Sequence, residues 1–198
     1  MSSTGLAEMF FRSIKVIINK VRKLKYSFLS ENMNIDGYHV QYQPVLFKGS
    51  GLIQFKGNVC LGWPDSPFFF SGYSYIEARN PGTKIIINDG TMINNSVIII
   101  GAGEGISIGE NVLIGYNCEI IDSDFHDLSP NPEKRKNGNI KTKKVVIENN
   151  VFIGNNCSIL KGVTIGENSV IANSSVVVRS IPPNVIAAGN PCKIVRYL

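Results

Sequence analysis

The sequence predicts an all-β fold, a parallel β-helix of six-residue units with one α-helix at its N-terminal end and one extended loop. Three observations carry this. β-Branched residues recur every six positions at Ile147, Ile153, Ile159, Ile165, Ile171 and Val177. The same beat runs earlier, through Ile87, Ile93 and Ile99 and again through Ile108, Ile114 and Ile120. Only the N-terminal stretch has a helical period instead.

That stretch comes first. Leu6, Met9, Phe10, Ile14, Ile17, Ile18, Val21, Leu24 and Phe28 recur mostly at spacings of three and four. This is the mark of an amphipathic helix from about residue 5 to about residue 30. Arg12, Lys15, Lys20, Arg22 and Lys23 fall mostly on other faces. Such a helix packs on the body or a neighbouring subunit, or it lies on an anionic membrane surface. Residues 1–50 read as helix and connecting segment, and residues 51–198 as the β-helix domain.

In that domain each unit is a short strand plus a turn, and three units close one triangular coil. The leading aliphatic fills the interior and stacks on its counterpart in the next coil. Four positions on, Val112, Cys118, Val151, Cys157, Val163, Ser169 and Ser175 supply a small inward residue. Gly and Asn take the corners, where positive φ is tolerated. Upstream, Ile53 and Val59 mark irregular early coils.

Two interruptions break the beat. GAGEG adds three residues between Ile99 and Ile108, and 27 residues separate Ile120 from Ile147 where six are expected. A solenoid accepts such insertions as loops leaving a corner, where function commonly sits. The larger loop, 121–146, holds Asp122, Asp124, His126 and Asp127, then a basic run from Lys134 to Lys144.

The formal net charge of +5 comes from two blocks. Residues 12–25 and 134–144 each hold six Lys/Arg and no acid, while elsewhere eight basic residues face fifteen acidic ones. The four cysteines include no CxxC pair. This argues against a disulfide framework, zinc fingers and thioredoxin-type chemistry, and for a reducing, cytoplasmic setting. No apolar run reaches the length of a transmembrane helix, and Lys and Arg interrupt any signal-peptide core. No nucleic-acid motif accompanies the basic helix.

The stretch Val145–Arg196 resembles the left-handed β-helix hexapeptide acyltransferases. Within them it is most similar to the maltose and galactoside O-acetyltransferases and many surface-glycan O-acetyltransferases. The ending IPPNVIAAGNPCKIVR is close to a signature of that branch, and the resemblance spans roughly residues 85–198. It implies left-handed crossovers, against the usual right-handed rule. It also implies a homotrimer with active sites between subunits, acetyl-CoA as co-substrate, and no metal. Residues 1–50 depart from the maltose enzymes, Phe152 replaces the tryptophan of VWIG, and GAGEG differs from the substrate-lining segment.

Acetyl transfer from a thioester to a hydroxyl needs a base, donors for the oxyanion and a groove for the thioester. His126 in DSDFHD matches the family's catalytic histidine, and imidazole titrates near neutrality. Asp124 and Asp122 are the nearest carboxylates that could orient it. Taken alone, His126 could also be a loop histidine bonded to aspartates, or a metal ligand, though one histidine among loop carboxylates is a weak metal signal. His39 has no such context and reads as structural or exposed. By match to the family, backbone N–H groups beside Gly154 and Asn155 polarise the thioester carbonyl. Asn94 matches an asparagine contacting the acceptor sugar, with Asn95 competing one residue on. Asn155, Asn173, Val178, Arg179, Lys193 and Arg196 match the coenzyme A contacts, and the three cations suit its phosphates. Arg135-Lys136-Asn137-Gly138 resembles the loop of the galactoside enzymes.

The resulting expectation is an acetyl-CoA-dependent O-acetyltransferase of a sugar hydroxyl in polysaccharide or lipopolysaccharide biosynthesis. It would be a cytoplasmic homotrimer, peripheral at the membrane through residues 5–30. N-acetylation of a nucleotide-linked amino sugar, and a non-catalytic β-helix scaffold, stay open as alternatives.

Overall fold

The computed structural model describes residues 3–198, with side-chain surroundings from Glu8 onward. Leu6, the first residue of the apolar stripe, has its side chain outside that range. Helix α1 (Ser3–Leu29) is followed by a left-handed parallel β-helix of three faces. The first face has six strands, from Ile35–Asp36 to Thr164–Ile165. The second has eight, from His39–Gln41 to Lys193–Tyr197, and the third has six, from Val45–Gly49 to Val176–Val177. Every pairing between these strands is parallel except the last, where Lys193–Tyr197 runs antiparallel to Val185–Ala188.

The six-residue beat becomes register. Ile85, Ile106 and Val145 pair in line on the first face, as do Ile87, Ile108, Ile147 and Ile165. Ile93, Ile114, Ile153 and Ile171 pair on the second, and Ile76, Ile99, Ile120, Ile159 and Val177 on the third. All of these side chains are buried in one continuous core. Burying a side chain of this size stabilises by about 1.5–3 kcal/mol relative to leaving it exposed. The inward residues four positions on, among them Val112, Cys118, Val151, Cys157 and Val163, are buried too.

The corners divide two tasks that the sequence reading had merged. Asparagines take the positive φ, at Asn111, Asn117, Asn150, Asn156 and Asn168, and bond one another between coils. Asn117 Nδ2 donates to Asn156 Oδ1 at 2.9 Å, and Asn168 Nδ2 to Asn184 Oδ1 at 2.9 Å. Gly154 is glycine for a different reason. It has no positive φ, but a Cβ there would lie 2.8 Å from the Asn173 backbone nitrogen.

The solenoid begins at Ile35, earlier than the boundary at 51. Ile35 pairs with Ile53, His39 with Val59 and Val45 with Ser74. The connecting segment therefore already forms one coil. Its edge strand Val45–Gly49 is covered by the chain leaving α1. Phe47 N donates to Ser30 Oγ at 3.0 Å, and Phe47 O accepts from Glu31 N at 2.9 Å.

Helix α1 docks by its polar side. Asn19 Nδ2 donates to Tyr42 O at 2.9 Å, and Lys23 Nζ to Gln41 O at 3.0 Å. Arg22 donates to the carbonyls of Phe69 and Gly72, and Tyr26 stacks on Tyr73 at 4.4 Å. The apolar stripe faces away from the body. Phe10, Ile17, Val21 and Leu24 are all exposed, and Phe28 is 90% exposed. No helix among the described residues is long and apolar enough to cross a membrane.

Candidate active site on two edges of the prism

Each coil has three corners, and most of the proposed site residues fall on two of them. Asn94, Gly154, Asn155 and Asn173 follow strands of the second face, so they line the edge where it turns into the third. The loop bearing His126 leaves after Glu119–Ile121 of the third face, at the next edge. Within one chain, His126 and these residues therefore lie on different edges.

The first edge is an amide ladder. Asn155 Oδ1 accepts from Tyr116 N at 3.0 Å, and Asn173 Oδ1 accepts from Asn155 N at 2.8 Å. Gly154 N donates to Ile171 O at 2.8 Å. The backbone N–H groups of Gly154 and Asn155 are thus taken up by the ladder. The oxyanion donors expected beside these residues are therefore not their own N–H groups. The donors left are side chains. Asn94 Oδ1 accepts from Asn95 N at 2.7 Å, and among the described residues neither Asn94 Nδ2 nor Asn155 Nδ2 has a partner. Both residues line a cavity of about 330 Å³, with Trp63, Met92, Leu113 and Phe152 as its apolar walls. Asn95 is fully buried and bonds the backbone around Trp63. Asn94 reaches the cavity and Asn95 does not.

At the second edge the aspartates separate. Asp122 is fully buried and accepts from three backbone N–H groups of GAGEG: Ala102 at 2.6 Å, Gly103 at 3.1 Å and Gly105 at 2.6 Å. It ties the two interruptions of the repeat together and makes no bond to His126. Both of its carboxylate oxygens are taken by these backbone donors, and its assignment as an orienting carboxylate is corrected on that ground. Asp124 Oδ1 lies 3.1 Å from Lys161 Nζ, while its Oδ2 is buried without a partner. Asp127 closes the loop on itself, accepting from Ser129 N at 2.7 Å and Asn139 N at 2.9 Å. Helix α2 (Pro132–Asn137), capped by Asn131, carries part of the basic run.

His126 is exposed and has no hydrogen bond among the described residues. Phe125 before it sits at φ 58°, an unusual conformation for a bulky residue. Phe125 N donates to Ser123 Oγ at 3.0 Å, and the Arg79 guanidinium lies 5.0 Å from its ring centroid. Arg79 in turn donates to both oxygens of Glu77, at 2.8 and 3.0 Å. Those bonds hold the Glu77 carboxyl below its ordinary pKa. Burial, ahead of the Glu77 charge, pushes the neighbouring Tyr75 phenol up to about 12. This brace was invisible in the sequence, where Glu77 and Arg79 are merely two charges on an early strand.

The remaining coenzyme-matching residues are spread. Val178 lines a small cavity beside Asp124, and Arg179 is exposed on the same edge. Lys193 and Arg196 are exposed on the last strand of the second face. No cluster of metal-ligating side chains occurs among the described residues.

Comparison with known proteins follows the same lines. Residues 144–179 match the family described as bacterial transferase hexapeptide (six repeats), and residues 105–121 match the hexapeptide repeat of succinyl-transferase. The galactoside O-acetyltransferase of Escherichia coli is 37% identical over 139 residues, covering 69% of this chain and 61% of the relative. That of Lactococcus lactis is 38% identical over 117 residues, covering 59% and 55%. The chain thus spans about three-fifths of the length of these curated relatives. A hexapeptide-repeat acetyltransferase of Vibrio cholerae, solved with acetyl coenzyme A, superposes with a TM-score of 0.56 at 28% identity. That match covers 94% of this chain and 84% of that one.

Proposed function

The chain belongs to the hexapeptide-repeat acyltransferases, and on that footing we propose that it transfers an acetyl group from acetyl-CoA to a sugar hydroxyl. The observation that carries this reading is the pair of unpartnered amide NH₂ groups, Asn94 and Asn155, in one cavity. A cavity with two free donors and apolar walls suits a reacting carbonyl and a sugar better than it suits a scaffold's surface.

Acetyl-CoA supplies an acetyl group already activated as a thioester. His126 Nε2 or Nδ1 takes the proton of the attacking hydroxyl, and Asn94 and Asn155 donate to the carbonyl oxygen as it gains charge. His126 then returns the proton to the departing thiolate. Asp124, with one buried oxygen without a partner, is the carboxylate this reading assigns to steady the imidazolium. The base must come from a neighbouring copy, because His126 and the amide cavity lie on successive edges of one prism. A homotrimer meets this need, setting each His126 edge against the next copy's amide edge. Arg179, Lys193 and Arg196 are then the exposed cations for the coenzyme's phosphates.

The acceptor belongs to surface-polysaccharide or lipopolysaccharide biosynthesis in this reading, held at the cytoplasmic face of the membrane. The outward stripe of α1, flanked by exposed Arg12, Lys15, Lys20 and Lys25 with Glu8 the one acid, supports a peripheral contact with anionic lipid. The decisive experiment measures thiol release from acetyl-CoA across free sugars, nucleotide sugars and oligosaccharides. A sugar-dependent signal with a base-labile ester product is expected. A base-resistant amide product, or no acceptor-dependent release from the trimer, overturns it.

A further inference from the structure

Between Leu61 and Ser74 the chain leaves the coil in an aromatic loop, Trp63-Pro64-Asp65-Ser66-Pro67-Phe68-Phe69-Phe70. Two fully buried amides hold it. Asn95 Oδ1 accepts from Trp63 N at 2.9 Å, and its Nδ2 faces the carbonyls of Trp63, Ser66 and Pro67 at 2.8, 3.1 and 2.9 Å. Gln43 Nε2 donates to Phe68 O at 2.7 Å, and its Oε1 accepts from Ser96 N at 2.8 Å. The loop's backbone is therefore fixed from inside the prism.

The fixed backbone does not bury the indole. Trp63 remains 43% exposed, with Tyr42 edge-on at 6.5 Å, and it forms a wall of the cavity that holds Asn94 and Asn155. Leu61 pairs with Ile93 across adjacent coils, so Trp63 stands one coil from Asn94, a step of about 4.8 Å. None of the residues lining the cavity is charged. A half-exposed aromatic face on a backbone held from inside, in a cavity without charge, matches the C–H face of a neutral sugar ring.

We propose that Trp63 is the stacking platform for the acceptor, and that the acceptor ring seated there is a neutral pyranose. This rests on the acetyl-transfer reading for its context, while the emission arm of its test does not. Trp63 is the chain's single tryptophan, so its emission reports the contact directly. The full-length protein is titrated with neutral methyl pyranosides, and in parallel with a methyl glucuronide and a sugar phosphate. A saturable change in emission with neutral pyranosides, weak or absent with the charged sugars, is expected. Trp63→Ala should raise KM for the best neutral acceptor about ten-fold, with kcat within a few-fold, and Trp63→Phe should recover most of the loss.

Emission unmoved by any neutral pyranoside while turnover on one proceeds overturns the platform and leaves acetyl transfer intact. Emission that responds to sugar while no acetyl transfer occurs sinks the reaction and keeps the platform. Emission that responds only to protein concentration assigns Trp63 to contact between copies, and the proposal fails.

Discussion

Asp122 and Asp124 are two residues apart and equally plausible partners of His126, yet the structure gives them different work. Asp122→Ala removes a charged acceptor from three backbone N–H groups, at 2.6, 3.1 and 2.6 Å. The Gly105 bond is buried; those of Ala102 and Gly103 are partly so. An orphaned buried donor costs about 2–3 kcal/mol, and donors that reach water about 1 kcal/mol each, which sums to about 4–5 kcal/mol. For a domain of this size that corresponds to a fall in Tm on the order of 10–15 °C. The assay is thermal unfolding by circular dichroism, with acetyl-CoA turnover and its pH profile measured well below the transition. Asp122→Ala should unfold early and show an unshifted pH profile for whatever activity remains. Asp124→Asn should keep its Tm within a few degrees and lose turnover. An Asp122→Ala protein with wild-type Tm and a displaced pH profile would refute the anchoring role and restore Asp122 to the catalytic machinery.

His126→Ala should lower kcat by ~10²–10⁴ while sedimentation still reports a trimer; turnover within a few-fold of wild type removes His126 from the mechanism. Ile17→Asp with Leu24→Asp places two charges on the outward stripe of α1, away from its contacts with the body. Flotation with anionic vesicles should be lost with Tm unchanged, whereas aggregation or loss of the trimer would assign the stripe to a protein contact. His39 packs on Phe55 at 4.3 Å, and burial lowers its imidazole pKa. The folded state then binds the proton less readily than the unfolded state. The stability it contributes is present above the ordinary histidine value of about 6.5 and lost as pH falls through the lower folded value. His39→Phe should flatten that part of the curve, and an unchanged slope in the variant refutes the assignment.

How much could be read in advance follows from how local each cause is. The Ile93, Ile114, Ile153 and Ile171 stack was legible because one requirement, a β-branched residue facing a narrow interior, repeats at fixed spacing. The coil starting at Ile35 was not legible, since its strands keep no hexad. Proximity in sequence favoured Asp122 as a partner of His126. Its actual partners, at Ala102, Gly103 and Gly105, lie a full coil earlier and become neighbours only when the coils stack. Periodicity located the stripe on α1 but could not say which side meets the body. That was decided by backbone carbonyls at Gln41, Tyr42, Phe69 and Gly72, which draw in Lys23, Asn19 and Arg22. The division of Asn94 from Asn95 depended on the aromatic loop, whose path has no repeat to predict it.

A coil that pairs with an identical coil has no intrinsic last member, and a prism of this kind is a short length of what could be an endless thread. Two features oppose such growth. At one end the chain leaving α1 occupies both the N–H and the C=O of Phe47, on the strand a second molecule would otherwise extend. At the other, Lys193–Tyr197 reverses direction against Val185–Ala188, so a parallel newcomer meets the wrong pattern of donors and acceptors. Each device blocks one edge strand of one face from pairing with a parallel strand of another molecule.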